Sequence, residues 1–183
     1  KYYKPNTKGI DYVVGDIHGC YKTFCSALDT INFRTSKDRM FSVGDLVDRG
    51  AHSLTCLDFL DCKWFHMIRG NHEQMAIDYI DHMNEFDYRH FSQTYSANGG
   101  DWYLDLHPDL QNKITDKFRK LPITIQIGDV ALCHADPYRT RYDDLLLDLK
   151  SKSKQFIDYI SEQVIWKRGL VRSETPVYIE GVN

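Results

Sequence analysis

Three short segments of the chain are rich in side chains that bind metal ions or transfer protons. They are GDIHG at 15–19, GDLVDRG at 44–50 and RGNHE at 69–73, and a fourth segment, CHAD at 133–136, adds another histidine. Imidazole combined with carboxylate oxygen suits Mn, Fe, Co or Zn better than Ca or Mg. Two such ions about 3.5–4 Å apart form the clamp that is used for in-line displacement at phosphorus. The residue types therefore indicate metal-assisted chemistry on a phosphoryl group.

Two residues of the second segment fit distinct parts of such a site. A carboxylate that bridges two ions is an economical way to hold them together, and Asp45 is the natural bridge. Arginine binds phosphoryl oxygens through two parallel hydrogen bonds, and Arg49 lies in the same segment. The flanking glycines allow the backbone to turn sharply beside these side chains.

Each of the first three segments follows a short apolar run that is typical of a buried strand. The runs lie at 10–14, 40–43 and 64–68, and apolar residues at helical spacing come after each segment. The order βαβαβα predicts a parallel sheet covered by helices. Ligands of such sheets bind outside the carboxyl ends of the strands, so we expect the polar side chains to meet there.

The second half of the chain carries weaker patterns. Residues 85–107 lack clean periodicity and are interpreted as a loop with at most one helix, and 137–155 are assigned to loops. The other expected elements are a helix from Pro108, a hairpin with strands at 123–127 and 130–133, a helix at 156–164 and a strand at 177–182.

Composition limits the class of protein. With 183 residues, of which 42% are apolar, the chain is expected to form a single domain over 1–183. Its apolar runs are far shorter than the roughly 20 residues that span a membrane. The net charge of −3 gives no basic surface for nucleic acid or anionic lipid. Five cysteines without a CxxC pair favour reduced thiols and a cytoplasmic location.

In this order and spacing, the segments resemble the phosphoprotein phosphatase family of calcineurin-like metallophosphoesterases, in particular its compact phage and bacterial members. The family pattern GDxHG, GDxxDRG and GNHE is intact, and the likeness continues through CHAD and through VIWKR at 164–168. The resemblance implies an α/β fold with central β-sheets flanked by helices in an α/β/β/α sandwich.

The resemblance also implies two divalent transition metal ions, Mn²⁺ in the first place, with Fe, Zn, Co and Ni as the other options. It assigns Asp16, His18 and Asp45 to the first ion. It assigns Asp45, Asn71 and His134 to the second. A hydroxide that bridges the two ions would attack phosphorus directly, without a phosphoenzyme.

Further roles follow from the same resemblance. His72 would be the general acid that protonates the leaving oxygen, and Asp48 would hold its ring through a hydrogen bond. Arg49 and Arg168 would bind the substrate phosphate, with Arg69 assisting.

One part of the family pattern is missing. Members carry a further metal-binding histidine in a GH[ST]-type motif near the C-terminus, whereas no histidine follows His134 here. We expect the protein to continue beyond Asn183 and to supply that ligand. The other interpretation is an incomplete second metal site.

The expected function is hydrolysis of phosphoserine and phosphothreonine, with phosphotyrosine as a further substrate. The partners would be phosphoproteins or phosphopeptides, and the protein would act as a monomer or weak oligomer. A symmetrical dinucleoside tetraphosphate hydrolase on the same scaffold is the alternative enzyme. A non-catalytic phosphate-binding scaffold is the alternative from another class, and it requires that the chain truly ends at Asn183.

Overall fold

The computed structural model describes residues 1–84, 86, 88–137, 139, 141–151 and 153–169. The chain divides into a large unit, Asn6–Leu121, and a small unit, Lys1–Pro5 with Pro122–Asn183. The expected single domain over 1–183 stays a prediction.

Strands and helices alternate along most of the chain. In chain order, the strands of the described residues are β1 (Tyr2–Tyr3), β2 (Asp11–Val14), β3 (Arg39–Ser42), β4 (Phe65–Met67), β5 (Ile125–Ile127) and β6 (Val130–Leu132). The helices are α1 (Tyr21–Thr30), α2 (Ser53–Cys56), α3 (Asn71–Asp81), α4 (Tyr88–Ala97), α5 (Asp101–Leu104), α6 (Pro108–Arg119), α7 (Tyr142–Asp148) and α8 (Lys154–Trp166). A 3-10 turn, Leu57–Asp61, follows α2 directly. This mixed α/β architecture confirms the predicted fold class.

The sheet of the large unit contains β2, β3 and β4 in that order, and both pairings are parallel. The predicted βαβαβα arrangement is therefore confirmed. Val14 pairs with Ser42, and Ser42 pairs with Met67, so the three carboxyl ends lie in register. The polar segments at 15–19, 44–50 and 69–73 consequently leave the sheet at one edge.

Aromatic side chains pack the helices of the large unit against this sheet. Phe24 of α1 contacts Phe59 of the 3-10 turn and Phe65 of β4, with ring centroids 5.0 and 6.0 Å apart. Helix α3 packs on α4 and α6, where Ile114 and Phe118 are buried.

Residues 85–107 differ from the expectation. They form two helices, α4 and α5, where the sequence indicated a loop with at most one helix. The buried faces of these helices consist largely of tyrosine, with Tyr95 and Tyr103 almost fully enclosed. Tyrosine has an apolar ring and a polar hydroxyl, so the pattern of apolar and polar residues does not show which tyrosines are buried. The apolar faces of the two helices could therefore not be predicted from the sequence.

The small unit contains a sheet in the order β1, β5, β6, with β1 parallel to β5 and β5 antiparallel to β6. The predicted hairpin and the predicted helix that became α8 are confirmed. Helix α7 was missed within 137–155, and it packs on α8. The predicted strand at 177–182 lies outside the described residues. Among the helices that the structure describes, none is long and apolar enough to cross a bilayer.

Candidate active site

Asp45 connects the polar segments of the large unit through its backbone. The amide N–H groups of Ile17 and His18 both donate to the Asp45 carbonyl oxygen at 2.9 Å. The Asp45 N–H donates to Glu73 Oε2 at 3.0 Å. The loops that follow β2 and β3 and the start of α3 are thereby held at fixed spacing around one residue.

The Asp45 carboxylate is buried and faces two histidines. Its Oδ1 accepts a hydrogen bond from the His72 N–H at 3.0 Å. Its Oδ2 lies 3.7 Å from His18 Nε2 and 3.8 Å from His72 Nε2. These two distances are too long for hydrogen bonds, so Oδ2 and both Nε2 atoms surround a common point without bonding to one another.

Backbone contact sets the tautomer of His18. Its Nδ1 lies 3.0 Å from the Val47 carbonyl oxygen, which can only accept, so Nδ1 carries the proton and donates. The Nε2 lone pair then accepts a hydrogen bond from Arg49 Nη1 at 2.9 Å, and a cation bound by His18 would replace that donor. Asp16 Oδ2 lies 3.8 Å from the same Nε2.

The residues predicted for the first ion fit a metal. A metal–ligand bond of about 2.0–2.2 Å places two ligand atoms of one ion about 3–4 Å apart. His18 Nε2 has that spacing to oxygens of Asp16 and Asp45. A carbonyl that fixes the second ring nitrogen of a histidine is also the usual support for a metal ligand.

His72 is fully buried, and its two ring nitrogens have opposite surroundings. Nδ1 lies 2.7 Å from Asp48 Oδ2. Nε2 makes no hydrogen bond, and it is alone in this among the buried side-chain nitrogens and oxygens of the described residues. An unsatisfied buried polar atom costs about 1–3 kcal/mol, so its persistence calls for a functional explanation.

The residues predicted for the second ion lie in different parts of the chain. Asn71 is buried and is the first residue of α3, directly before His72. His134 follows β6 in the small unit and is half-buried. Their roles as ligands stay predictions.

The predicted phosphate-binding arginines have different surroundings. Arg49 reaches His18 and so lies at the site. Arg168 follows α8, is exposed and donates to the carbonyl oxygens of Ile165 and Lys167 at 3.4 and 3.2 Å. Its role as a phosphate ligand stays a prediction.

Arg69 is held by three hydrogen bonds of its guanidinium group. Its Nε and Nη2 donate to the carbonyl oxygens of Phe118 and Arg119 at 3.2 and 2.8 Å, and its Nη1 donates to Gln74. All three guanidinium nitrogens therefore join α3 to the C-terminal end of α6. The assisting role of Arg69 at the phosphate stays a prediction.

Glu73 is a site residue that sequence reasoning missed. Its fully buried carboxylate accepts the backbone N–H groups of Asp45, Leu46 and Gly70 at 2.9–3.0 Å. Burial and the neighbouring Asp45 charge raise the pKa of Glu73 to about 7, although the three N–H donors oppose the shift. The signal was present as the last letter of GNHE, but its partners are backbone groups that no residue pattern reveals.

Backbone strain is concentrated at the site. Five non-glycine residues of the described chain have positive φ, and four of them belong to the first two segments, namely His18, Asp45, Asp48 and Arg49, with φ of 44–71°. Such conformations cost of order 1–3 kcal/mol each and persist only where surrounding contacts enforce them.

A parallel sheet whose carboxyl edge gathers carboxylates and imidazoles, with His18, Asp45 and His72 close enough together to hold an ion, defines an α/β protein with a candidate metal site. The model of the calcineurin-like phosphoesterase family matches residues 12–178. The chain belongs to the calcineurin-like phosphoesterase family.

Two groups of relatives are similar to this chain, namely serine/threonine-protein phosphatases and symmetrical bis(5'-nucleosyl)-tetraphosphatases. Serine/threonine-protein phosphatase 2 of Escherichia coli (strain K12) is 38% identical over 132 residues, which cover 68% of this chain and 57% of the relative. Serine/threonine-protein phosphatase 1 of Salmonella typhimurium is 44% identical over 97 residues, covering 52% and 41%. The symmetrical bis(5'-nucleosyl)-tetraphosphatase of Haemophilus ducreyi is 39% identical over 64 residues, covering 34% and 24%. The chain thus spans little more than half of the first relative and less of the others.

Solved structures support the fold. A cold-active protein-tyrosine phosphatase of a psychrophilic Shewanella matches with a TM-score of 0.59 at 20% identity, covering 96% of this chain and 61% of that one. A structure provisionally named as a diadenosine tetraphosphatase matches with a TM-score of 0.56 at 24% identity. That match covers 75% of this chain and 56% of the other. At these identities the likeness concerns the fold alone.

Proposed function

We propose that the protein is a metal-dependent phosphomonoesterase that hydrolyses phosphoserine and phosphothreonine in proteins. The observation that carries this proposal is the buried His72, whose unpartnered Nε2 lies 3.8 Å from Asp45 Oδ2 while Asp48 holds its Nδ1. A histidine that is positioned by a carboxylate can act as a general acid, which gives its proton to the leaving oxygen of an ester. The serine/threonine phosphatase names of two relatives support the substrate class.

Asp16, His18 and Asp45 are proposed to hold one ion, and Asn71 and His134 stay the predicted further ligands of a second. The imidazole and carboxylate donors favour a transition metal, and Mn²⁺ is the metal we expect. When bound, the ions supply charge neutralisation for the phosphoryl group and an activated water.

The chain's own side chains perform the remaining tasks. Arg49, and by prediction Arg168, bind phosphoryl oxygens through their guanidinium groups. Water attacks phosphorus, and the bond to the serine or threonine oxygen breaks. His72, protonated on Nε2, gives that proton to the departing oxygen, while Asp48 stabilises the ring through Nδ1–H. The products are the free hydroxyl side chain and inorganic phosphate.

A symmetrical dinucleoside tetraphosphate hydrolase is the second candidate, and the similarity to the Haemophilus ducreyi relative favours it. The full chain loaded with Mn²⁺ should be assayed on a phosphoserine peptide and on diadenosine tetraphosphate. A higher kcat/KM for the peptide supports the proposed function, and the reverse order supports the alternative.

The non-catalytic scaffold is tested in the same experiment. Metal analysis and hydrolysis of 4-nitrophenyl phosphate are measured on the same preparation. A protein that binds phosphate but hydrolyses none of the three substrates with metal bound would contradict both enzymatic candidates.

A further inference from the structure

We propose that Trp102 and Tyr95 are positioning residues, which hold Asp48 and through it aim the proton-donating Nε2 of His72. This inference rests on the proposed function, because it assumes that His72 protonates a leaving oxygen. It assigns a task to α4 and α5, which lie where the sequence indicated a loop with at most one helix.

The Asp48 carboxylate is fully buried and divides its two oxygens between two sets of donors. Oδ2 receives the His72 Nδ1–H at 2.7 Å. Oδ1 receives the Trp102 Nε1–H at 2.7 Å and the Tyr95 hydroxyl at 3.3 Å. A carboxylate held at one oxygen can rotate, whereas a carboxylate held at both has a fixed plane. That plane determines where the His72 ring points.

The two aromatic donors are themselves immobilised. The rings of Tyr95 and Trp102 both contact the buried Tyr103, with centroids 5.6 and 5.8 Å away. The Tyr103 hydroxyl itself donates elsewhere, to the Gln111 carbonyl oxygen at 3.1 Å, so its ring alone makes the contacts with Tyr95 and Trp102. Burial and the Asp48 charge raise the pKa of Tyr95 well above its usual value, so its hydroxyl stays a proton donor.

Neither donor is required to keep Asp48 in its loop. The Asp48 N–H donates to Ser53 Oγ at 2.8 Å, and its carbonyl oxygen accepts the Gly50 N–H at 2.7 Å. The backbone position of Asp48 is therefore set locally. The orientation of its side chain depends on Tyr95 and Trp102, which lie 47 and 54 positions further along the chain. Loss of the Trp102 N–H is expected to affect proton delivery more than folding.

The leaving group provides the test. An acid catalyst matters most when the leaving oxygen is strongly basic, so a misaimed His72 should slow phenyl phosphate more than 4-nitrophenyl phosphate. For Trp102→Phe with Mn²⁺ we expect kcat on phenyl phosphate to fall about 10-fold, the effect of one hydrogen bond to a charged group. The fall on 4-nitrophenyl phosphate should be much smaller. Tyr95→Phe should show the same pattern more weakly, because its bond is longer.

Tyr103→Phe is the matched control. It removes a hydroxyl from the same aromatic cluster, but that hydroxyl bonds Gln111 and Thr115 rather than Asp48. It should lower both rates equally or not at all. An equal fall on both substrates in Trp102→Phe, or no fall, would overturn the proposal.

Two further measurements separate this inference from the proposed function. If His72→Asn lowers the rates on phenyl phosphate and 4-nitrophenyl phosphate by the same factor, His72 is not the acid. That result contradicts the proposed role of His72 rather than the role of Trp102 and Tyr95. If the wild type hydrolyses neither ester, the proposed function fails, and the His72 Nδ1–H proton resonance decides the inference. Recorded with Zn²⁺ in place of paramagnetic Mn²⁺, it should exchange with water faster in Trp102→Phe and stay unchanged in Tyr103→Phe. An unchanged resonance in both variants contradicts the inference.

Discussion

The backbone of Gly70 lies directly against Asp45, so that a methyl group added at Gly70 would overlap Asp45 Oδ1 and come within 2.5 Å of the Asp45 nitrogen. The partner is a buried carboxylate and its own backbone, which cannot move aside freely. A glycine is therefore required at position 70 because Asp45 leaves no room for a side chain there, and not because of the backbone conformation of Gly70 itself.

Gly70→Ala should displace the Asp45 carboxylate and weaken Mn²⁺ binding by at least about 10-fold, the typical cost of disturbing the surroundings of a metal ligand. Isothermal titration calorimetry measures the affinity. Gly15→Ala is the control, because a Cβ there has no neighbour within 4 Å. Equal affinities for the two variants would show that Asp45 tolerates the displacement.

Asp45→Asn should abolish the effect of metal on stability. An ion that binds only the folded protein stabilises it by about 2.7 kcal/mol at 100 times its dissociation constant. We expect Mn²⁺ to raise the unfolding midpoint of the wild type, EDTA to reverse that rise, and Asp45→Asn to show neither effect. A variant that still responds fully to Mn²⁺ would exclude Asp45 as a ligand.

His72→Asn should retain metal and lose turnover. Removal of a general acid typically lowers kcat by about 10²–10⁴, while the nearby ligands Asp16 and His18 stay in place. Metal content by mass spectrometry and steady-state kinetics on a phosphoserine peptide measure the two properties. Wild-type kcat in this variant would refute the assigned role.

Glu73→Gln should destabilise the large unit. The amide nitrogen that replaces one oxygen would face a backbone N–H, leaving a buried donor unsatisfied at a cost of about 1–3 kcal/mol. Urea denaturation measures the free energy of unfolding. Glu162→Gln makes the same chemical change at an exposed position of α8 and should have little effect. A Glu73→Gln protein as stable as that control would contradict the role of the three backbone bonds.

Asp38 should make stability depend on pH. Its side chain accepts hydrogen bonds from the Arg34 guanidinium and the Ile10 N–H, which hold the pKa of Asp38 well below its ordinary 3.8. A lowered carboxyl pKa stabilises the folded state above the unfolded pKa, and this contribution is lost as pH falls through the folded pKa. The stability advantage of wild type over Asp38→Asn should therefore be complete near pH 7 and shrink below about pH 4. Denaturation of both proteins across this range checks it, and a constant difference would contradict it.

The sequence predicted the parts of the fold that depend on local pattern. Strands β2 to β4 lie on the apolar runs at 10–14, 40–43 and 64–68, each followed within two residues by a glycine, and the hairpin of β5 and β6 is an alternating pattern around Gly128. Helix α6 begins at Pro108, as predicted. In each case the residues that define the element are neighbours along the chain.

The parts that were missed depend on contacts between distant residues. Helix α4 buries Tyr95, whose hydroxyl donates to Asp48 in a distant segment of the chain. Glu73 and Trp102 act on the site through bonds that exist only after folding. The hydrogen bonds of Arg69 likewise depend on where α6 ends, which its own segment does not indicate.

The positive φ angles of His18, Asp45, Asp48 and Arg49 limit which amino acids these positions can accept, independently of chemistry. Valine, isoleucine and threonine are nearly excluded from that region of conformational space, whereas glycine, asparagine and aspartate enter it readily. A randomised library at these four positions would lose β-branched variants at the folding stage, before any selection for activity acts. The backbone conformation therefore restricts which amino acids can occur at these four positions, before the requirements of the reaction restrict them further.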